Sequence, residues 1–257
     1  MQFNIILNQD LKLLKGVGIH VILVHGGGKA IDQALAMHHI NSHFVDGLRV
    51  TSNAAMDIIE MVLCGHINNM LVKQLNHIGI RAVGLTGADD HLLQCEPIST
   101  QHERAGKVKA VNIQPIINIL HTPDSQVHPI PVIAPIGIDS QGQSLNVNAD
   151  VAACEIAMAL GVNKLIYLTD QDGIFDADGQ RLSSLDTHQL QQLIDQQIVK
   201  EGMLTKVRAI LTALQTNMNH IHIINGQRPH ALIEELFTVA GIGSLCKSTL
   251  PGEPQPC

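Results

Sequence analysis

The chain has no tryptophan, one tyrosine and four phenylalanines among its 257 residues. Its core must therefore be aliphatic, and the aromatic platforms on which single-stranded nucleic acid stacks are excluded. It also lacks an excess of positive charge. The formal net charge is −7, so the basic footprint that a phosphate backbone demands is missing, and no nucleic-acid partner is expected. An anionic ligand would have to be held by local geometry. No apolar run reaches the ~18 residues of a membrane span, and no membrane partner is expected. Met1 to Asp10 has neither a basic segment nor a small-residue cleavage site, so no secretory leader is expected. The five cysteines (Cys64, Cys95, Cys154, Cys246, Cys257) are widely spread without a C-x-x-C pair. They read as reduced thiols of a cytoplasmic protein. Histidines number fifteen, yet there is no H-E-x-x-H and no cluster at zinc spacing, so no metal site is expected.

What is present is an ordinary globular balance: 45% hydrophobic and 15% charged residues. The length suits one generous domain or two lobes sharing a sheet. Val21–Val24 is a short apolar run followed at once by Gly26-Gly27-Gly28 and a helix-like segment from Lys29. Strand, glycine turn and helix follow one another. Further strands are expected at Ala82–Leu85, Ile130–Ile133, Lys164–Leu168 and His220–Ile224, and helices at Asp57–Leu75, Val151–Leu160, Thr187–Gln196 and Leu204–Leu214. Continuous apolar strands alternating with helices argue an α/β fold with a mainly parallel open sheet and helices on both faces. Thr122–Ser125 reads as a loop. Ser248–Cys257, with three prolines, reads as a flexible tail.

Ligands of such sheets bind beyond the carboxyl ends of the strands. Three loops fall there: His25–Gly28, Thr169–Gly173 and Asn225-Gly226. Glycine lets backbone N–H groups approach an anion, and the following helix adds its positive end. The same turn could also be no more than a tight connection. It is not a Walker A loop, because Ala30 follows Lys29. Asn146-Val147-Asn148-Ala149-Asp150 opens a helix. Either Asn148 or Asp150 can cap it, and the segment has polar groups to spare. Asp172-Gly173 can be an ordinary turn or an acidic loop facing a ribose or a hydrated metal. Lys206, one turn into its helix, can be merely solvated.

Taken in order, the motifs are the strand and HGGG turn, Val45–Thr51, Ala82–Gly87, Asn146–Asp150, Leu168–Asp170 with Gly173, Gly202-Met203 with Lys206, and Gly241–Ser244. Together they resemble the acetylglutamate kinases of the amino acid kinase family, over about residues 3 to 246. The resemblance implies two lobes on one continuous sheet within a domain of residues 1–247, with an acylamino-acid side up to about 160 and a nucleotide side from 161 to 247. It implies ATP-dependent phosphorylation of the side-chain carboxylate of N-acetyl-L-glutamate in arginine biosynthesis, with Mg²⁺ carried by the nucleotide, and a homodimer.

By the same resemblance Gly27 and Gly28 hold the reacting carboxylate and the γ-phosphate region. Arg49 forks onto the substrate α-carboxylate and Asn146 binds the same substrate. Asp150 orients lysine, and Lys206 stabilises charge near the leaving phosphate. Asp170, Gln171, Asp172, Gly173, Ile174 and Phe175, with Ile198, Val199 and Lys200, line the nucleotide pocket. Ser244 stands where the family usually has threonine. The family's opening strand, its lysine and its glycine pair have no counterpart here. Residues 3 to 17 match the later part of the first helix, or Phe3–Leu7 could serve as a strand. The expectation for a chain starting at Met1 is little activity, restored by an upstream segment carrying that lysine. A kinase of another small acid and an inactive effector- or partner-binding homologue remain the alternative readings.

Overall fold

The computed structural model describes residues 5–45, 47–121, 128–216, 218 and 220–248. Phe3, Asp46, the expected loop at Thr122–Ser125 and the expected tail from residue 249 onward lie outside the described residues. The chain divides into two compact units, Met1–Leu160 and Gly161–Cys257.

Helix α1 (Ile5–Gly16) opens the first unit. Leu7, Leu11 and Leu14 are buried at helical spacing, and Ile5–Leu7, the described part of the alternative strand, is helical. Strand β1 (Leu23–Val24) runs into the glycine turn and helix α2 (Gly28–Met37). A hairpin of β2 (Phe44–Val45) and β3 (Leu48–Arg49) follows. Ser52 then caps α3 (Asn53–Glu60), its side chain accepting the Ala55 N–H at 3.2 Å. A π-helical segment, Met61–Asn68, joins α3 to α4 (Asn69–His77). The whole stretch from Asn53 to His77 is long and apolar enough by composition to cross a membrane. Yet Ile59, Leu63, Ile67, Leu71 and Leu75 are all buried within the unit.

The unit continues with β4 (Ala82–Thr86), β5 (Leu93–Pro97), β6 (Gly106–Val111), α5 (Gln114–Leu120), β7 (Ile130–Ala134), β8 (Ile136–Ile138), β9 (Ser144–Asn146) and α6 (Ala149–Leu160). Strands β1, β7 and β4 form a parallel ladder with β7 in the middle. All five residues of β7 are buried, which is why this strand reads as an uninterrupted apolar run. Val24 is level with Ile133, and Thr86 with Ala134. The residues after these strands, His25–Gly28, Gly87 and Pro135, therefore gather at one end of the ladder. A second, mixed sheet runs in the order β6-β5-β8-β9.

The second unit holds β10 (Leu165–Thr169), β11 (Ile174–Phe175), β12 (Arg181–Leu182), β13 (Ser184–Asp186), α7 (Thr187–Asp195), α8 (Glu201–Leu214), β14 (Ile221–Asn225), α9 (Ala231–Phe237) and β15 (Ser244–Lys247). Its main sheet is ordered β10-β14-β15-β13. Strands β10 and β14 are parallel over five residue pairs, so Thr169 and Asn225 end level with each other. A capping box starts α7: Asp186 accepts the Gln189 N–H, and the Gln189 side chain accepts the Asp186 N–H. Parallel ladders alternating with helices thus occur in each unit, as the apolar pattern predicts.

Cys64, Cys95, Cys154 and Cys246 are free thiols. Burial pushes Cys64, Cys95 and Cys246 up to about 12, so these three stay protonated and inert at neutral pH.

Candidate active site

The first unit carries a cleft of about 200 Å³ at the end of its parallel ladder. Gly26, Gly27, Gly28, Arg49, Asn146 and Asn148 all line it, so residues far apart in sequence meet there. Gly27 is required by close approach. A Cβ on it would lie 2.5 Å from Ile67 Cδ1 and 2.8 Å from Leu63 Cδ2, both on the π segment. Gly27 is also the N-cap of α2, with no side-chain cap bond, so no cap side chain satisfies the N–H groups of the first helical turn, and Gly26–Gly28 line the cleft.

His25 fixes the entry to this turn. Its side chain is buried, and burial lowers its affinity for a proton below the usual imidazole value, partly offset by the Gly26 carbonyl. Nε2 faces Asn68 Nδ2 at 3.2 Å, and Nδ1 faces the Gly26 carbonyl at 3.2 Å. An amide nitrogen only donates, so Nε2 accepts and Nδ1–H donates: the neutral tautomer is set by its partners. Asn68 also donates to the Val132 carbonyl at 2.8 Å, tying the turn to the central strand.

Arg49 is buried, with 6% of its side chain exposed. Its guanidinium stands 4.6 Å from the Phe44 ring centroid. Nη1 donates to Asp32 at 2.6 Å and to Ser42 Oγ. Asn146 donates from Nδ2 to Thr51 Oγ1 at 3.1 Å, and that hydroxyl donates to the Arg49 carbonyl at 3.1 Å. The fully buried Thr51 therefore links the two polar side chains of the cleft. Asn148 is the cap of α6: its side-chain oxygen accepts the Asp150 and Val151 N–H groups at 2.9 and 3.1 Å. Asp150 sits half-buried in the first turn of that helix.

In the second unit the loop Asp170–Phe175 leaves the carboxyl end of β10. Asp170, Gln171 and Asp172 are exposed, whereas Gly173 and Ile174 are buried. Asn225 at the matching end of β14 donates to Asp172 at 2.9 Å. Gly173 has φ +145, and a Cβ there would collide with the Ser244 hydroxyl. Ile198 is half-buried, Val199 buried, and Lys200 exposed at the N-cap of α8. Lys206 is buried one turn further on, its Nζ 4.5 Å from the Tyr167 ring centroid. Among the described residues, no group of three or more His, Cys, Asp or Glu is placed to hold a metal ion.

The amino acid kinase family model matches residues 7–225. The chain belongs to the amino acid kinase family. It is 39% identical over 240 residues to an acetylglutamate kinase of Campylobacter hominis, covering 93% of this chain and 83% of that protein. It is 40% identical over 256 residues to an acetylglutamate kinase of Nitrosococcus oceani, again covering 83% of the relative. Among solved structures, an N-acetylglutamate synthase from Neisseria gonorrhoeae, complexed with coenzyme A and N-acetyl-glutamate, aligns with a TM-score of 0.83 at 25% identity, over 95% of this chain and 56% of that one. A protein of Streptococcus mutans aligns with a TM-score of 0.81 at 26% identity, over 93% and 91%. As a member of this family the chain is a phosphotransferase.

Several residues of these two clusters escaped the sequence reading. Asp32, Ser42 and Asn68 hold the named residues without any motif of their own, and Thr51, which closes the Val45–Thr51 motif, was given no role. A polar residue at an otherwise apolar helical position, such as Asn68 between Ile67 and Leu71, is the one signal that could have found any of them.

Proposed function

We propose that the chain transfers the γ-phosphoryl group of ATP to the side-chain carboxylate of N-acetyl-L-glutamate, giving N-acetyl-L-glutamyl 5-phosphate, a step of arginine biosynthesis. The observation that carries this reading is the cleft of the first unit. Buried Arg49, Asn146 and the glycine turn converge on about 200 Å³. That is below the ~300–1,000 Å³ of pockets for drug-sized ligands and suits a small acid. The relatives named above support the same substrate.

The acceptor carboxylate is ionised at neutral pH, so no general base is needed. One of its oxygens attacks the γ-phosphorus, the bond to the β–γ bridging oxygen breaks, and ADP leaves with the electron pair. The barrier lies in bringing an anion up to a polyanion. Backbone N–H groups of Gly27 and Gly28 suit the reacting end. Arg49, anchored through Nη1 by Asp32 and Ser42, is posed to offer its other N–H groups to the substrate α-carboxylate. Asn146, steadied by Thr51, suits the acyl-amino portion. Asp150 is proposed to hold a cationic group and Lys206 to offset charge on the leaving phosphate. Asp170–Phe175 and Ile198–Lys200 are proposed as the nucleotide side. Their donors fit an Mg²⁺ chelated by the nucleotide, since Mg²⁺ keeps several waters and needs only one or two protein carboxylates. A homodimer in the cytoplasm goes with this reading.

Coupled ADP release from the purified chain tests it, with N-acetylglutamate, glutamate and aspartate compared at equal concentration. Whatever turnover the chain gives is expected to be selective for N-acetylglutamate. Equal rates with the unacetylated acids would remove the substrate assignment.

A further inference from the structure

In the second unit a carboxylate is buried where an apolar helix face would ordinarily carry leucine. Glu235 lies on α9 among the buried Ala231 and Leu232, with 4% of its side chain exposed. Removing a carboxylate from water is costly unless every lone pair finds a donor. Here three donors are in place. His222 Nδ1 stands 2.6 Å from Oε1, and the Ile242 and Gly243 N–H groups donate to Oε2 at 2.7 and 2.9 Å. Burial alone would raise the Glu235 pKa, but these bonds hold it below the usual value. Burial lowers the proton affinity of His222, Glu235 raises it again, and Lys164 and His220 lower it further. Nδ1–H donates to the carboxylate, and Nε2 is buried without a hydrogen-bond partner.

The turn that Glu235 holds leads directly to β15. Gly243 is pressed against β14, for a Cβ there would lie 2.5 Å from Ile224 Cγ2 and collide with the Ile223 carbonyl. Its own carbonyl accepts from Arg181 Nη1. The next residue, Ser244, is fully buried. Its Oγ accepts the Ile174 N–H at 2.9 Å and donates to the Leu182 carbonyl at 2.5 Å. Gly173 packs on the same hydroxyl. A line of hydrogen bonds thus runs from His222 through Glu235 and the Ile242–Ser244 turn to the middle of the Asp170–Phe175 loop.

We infer that Glu235, oriented by His222, is a positioning residue for that loop and thereby for ATP. The inference rests on the nucleotide reading of Asp170–Phe175. A leucine at 235 would fill the same helix position but leave two turn N–H groups and His222 Nδ1–H without acceptors. The turn would then be free to shift, and Ser244 with it.

Hydrogen exchange and steady-state kinetics on the full chain test this together. Glu235→Leu should speed exchange of the Gly173–Phe175 amides without nucleotide and raise the KM for ATP at least about fivefold, with the KM for N-acetylglutamate changed less than about twofold. Glu235→Gln, which keeps one acceptor for the turn, should fall between wild type and leucine. Ser244→Ala leaves Glu235 intact and should reproduce the ATP effect, which serves if the leucine variant does not fold. A lower kcat with both KM values unchanged in Glu235→Gln and Ser244→Ala is the signature of a structural role alone and would overturn the inference. So would loop exchange indifferent to these substitutions while an ATP analogue protects the wild-type loop. Absence of that wild-type protection would instead overturn the nucleotide reading, and the inference with it.

Discussion

Arg49 shows how a single side chain can be held in readiness. Its stem is buried, its charge is balanced by Asp32, and Phe44 lies against the guanidinium plane. Lysine cannot reproduce that arrangement, because it is a point charge without a planar fork. Arg49→Lys is expected to raise the KM for N-acetylglutamate by on the order of tenfold or more and the KM for ATP by less than about twofold. Equal shifts in both constants, in initial-rate measurements, would count against a clamp on the acid. His25 makes a second prediction at this scale. Its folded pKa lies below its unfolded value, so the unfolded chain binds the extra proton first as pH falls. Its contribution to stability is fully present above about pH 6.5 and is lost as pH drops below that value toward the lower folded pKa. Urea midpoints should fall between about pH 7.5 and 5.5 in the wild type. In a His25→Gln variant, which cannot take up a proton, the fall should be smaller.

At the level of elements, the π segment Met61–Asn68 packs against the glycine turn and its entry. It presents Leu63 and Ile67 to the glycine turn and Asn68 to His25. Gly27→Ala should therefore destabilise by about 1–3 kcal/mol, the usual range for overpacking. Ile67→Val removes the Cδ1 atom that the new methyl would meet first. In urea titrations, the double variant Gly27→Ala/Ile67→Val should recover part of the loss, a coupling on the order of 1 kcal/mol; strict additivity would mean that the two elements do not press on each other. The same elements show what the sequence made legible. β7, β10 and β14 were readable because buried strands leave continuous apolar runs, whereas α1 followed only from the family resemblance, with a strand at Phe3–Leu7 left as the alternative. β1 was readable within the apolar run Val21–Val24, whereas the two-residue strands β2 and β3 are too short to carry a period. β6 alternates Lys107-Val108-Lys109-Ala110, but no continuous run marks its ladder partner β5 or the three-residue strands β8 and β9 beyond it. The π segment has no signature distinct from its flanking helices. The glycine turn, Arg49 and Asn146 were readable only as members of an ordered set of motifs. Asn68 and Glu235 act through hydrogen bonds to residues distant in sequence, so nothing local distinguishes them, and Thr51 closes a motif that gives no hint of its bond to Asn146.

At the scale of the whole molecule, division of labour is the testable feature. The residues assigned to the acid, from Gly27 to Asn146, lie in the unit Met1–Leu160, and those assigned to the nucleotide, apart from the glycine turn at the transferring phosphoryl group, lie in Gly161–Cys257. A small ligand lowers the opening of the segments it touches by its own binding free energy, roughly 2.7 kcal/mol at one hundred times its dissociation constant. Each ligand should then leave a separate imprint in peptide-resolved hydrogen exchange of the intact chain. N-acetylglutamate alone should slow exchange around His25–Gly28, Arg49 and Asn146–Asp150, with little change at Asp170–Phe175. A non-hydrolysable ATP analogue with Mg²⁺ should slow Asp170–Phe175 and Ile198–Lys200, leaving the Arg49 segment near its free rate. If the ATP analogue protected the Arg49 segment and N-acetylglutamate the Asp170 loop, the two assignments would be exchanged. The acid would then sit against Lys206, and the cleft beside Arg49 would have to accept phosphates, which the guanidinium and the glycine N–H groups could also hold.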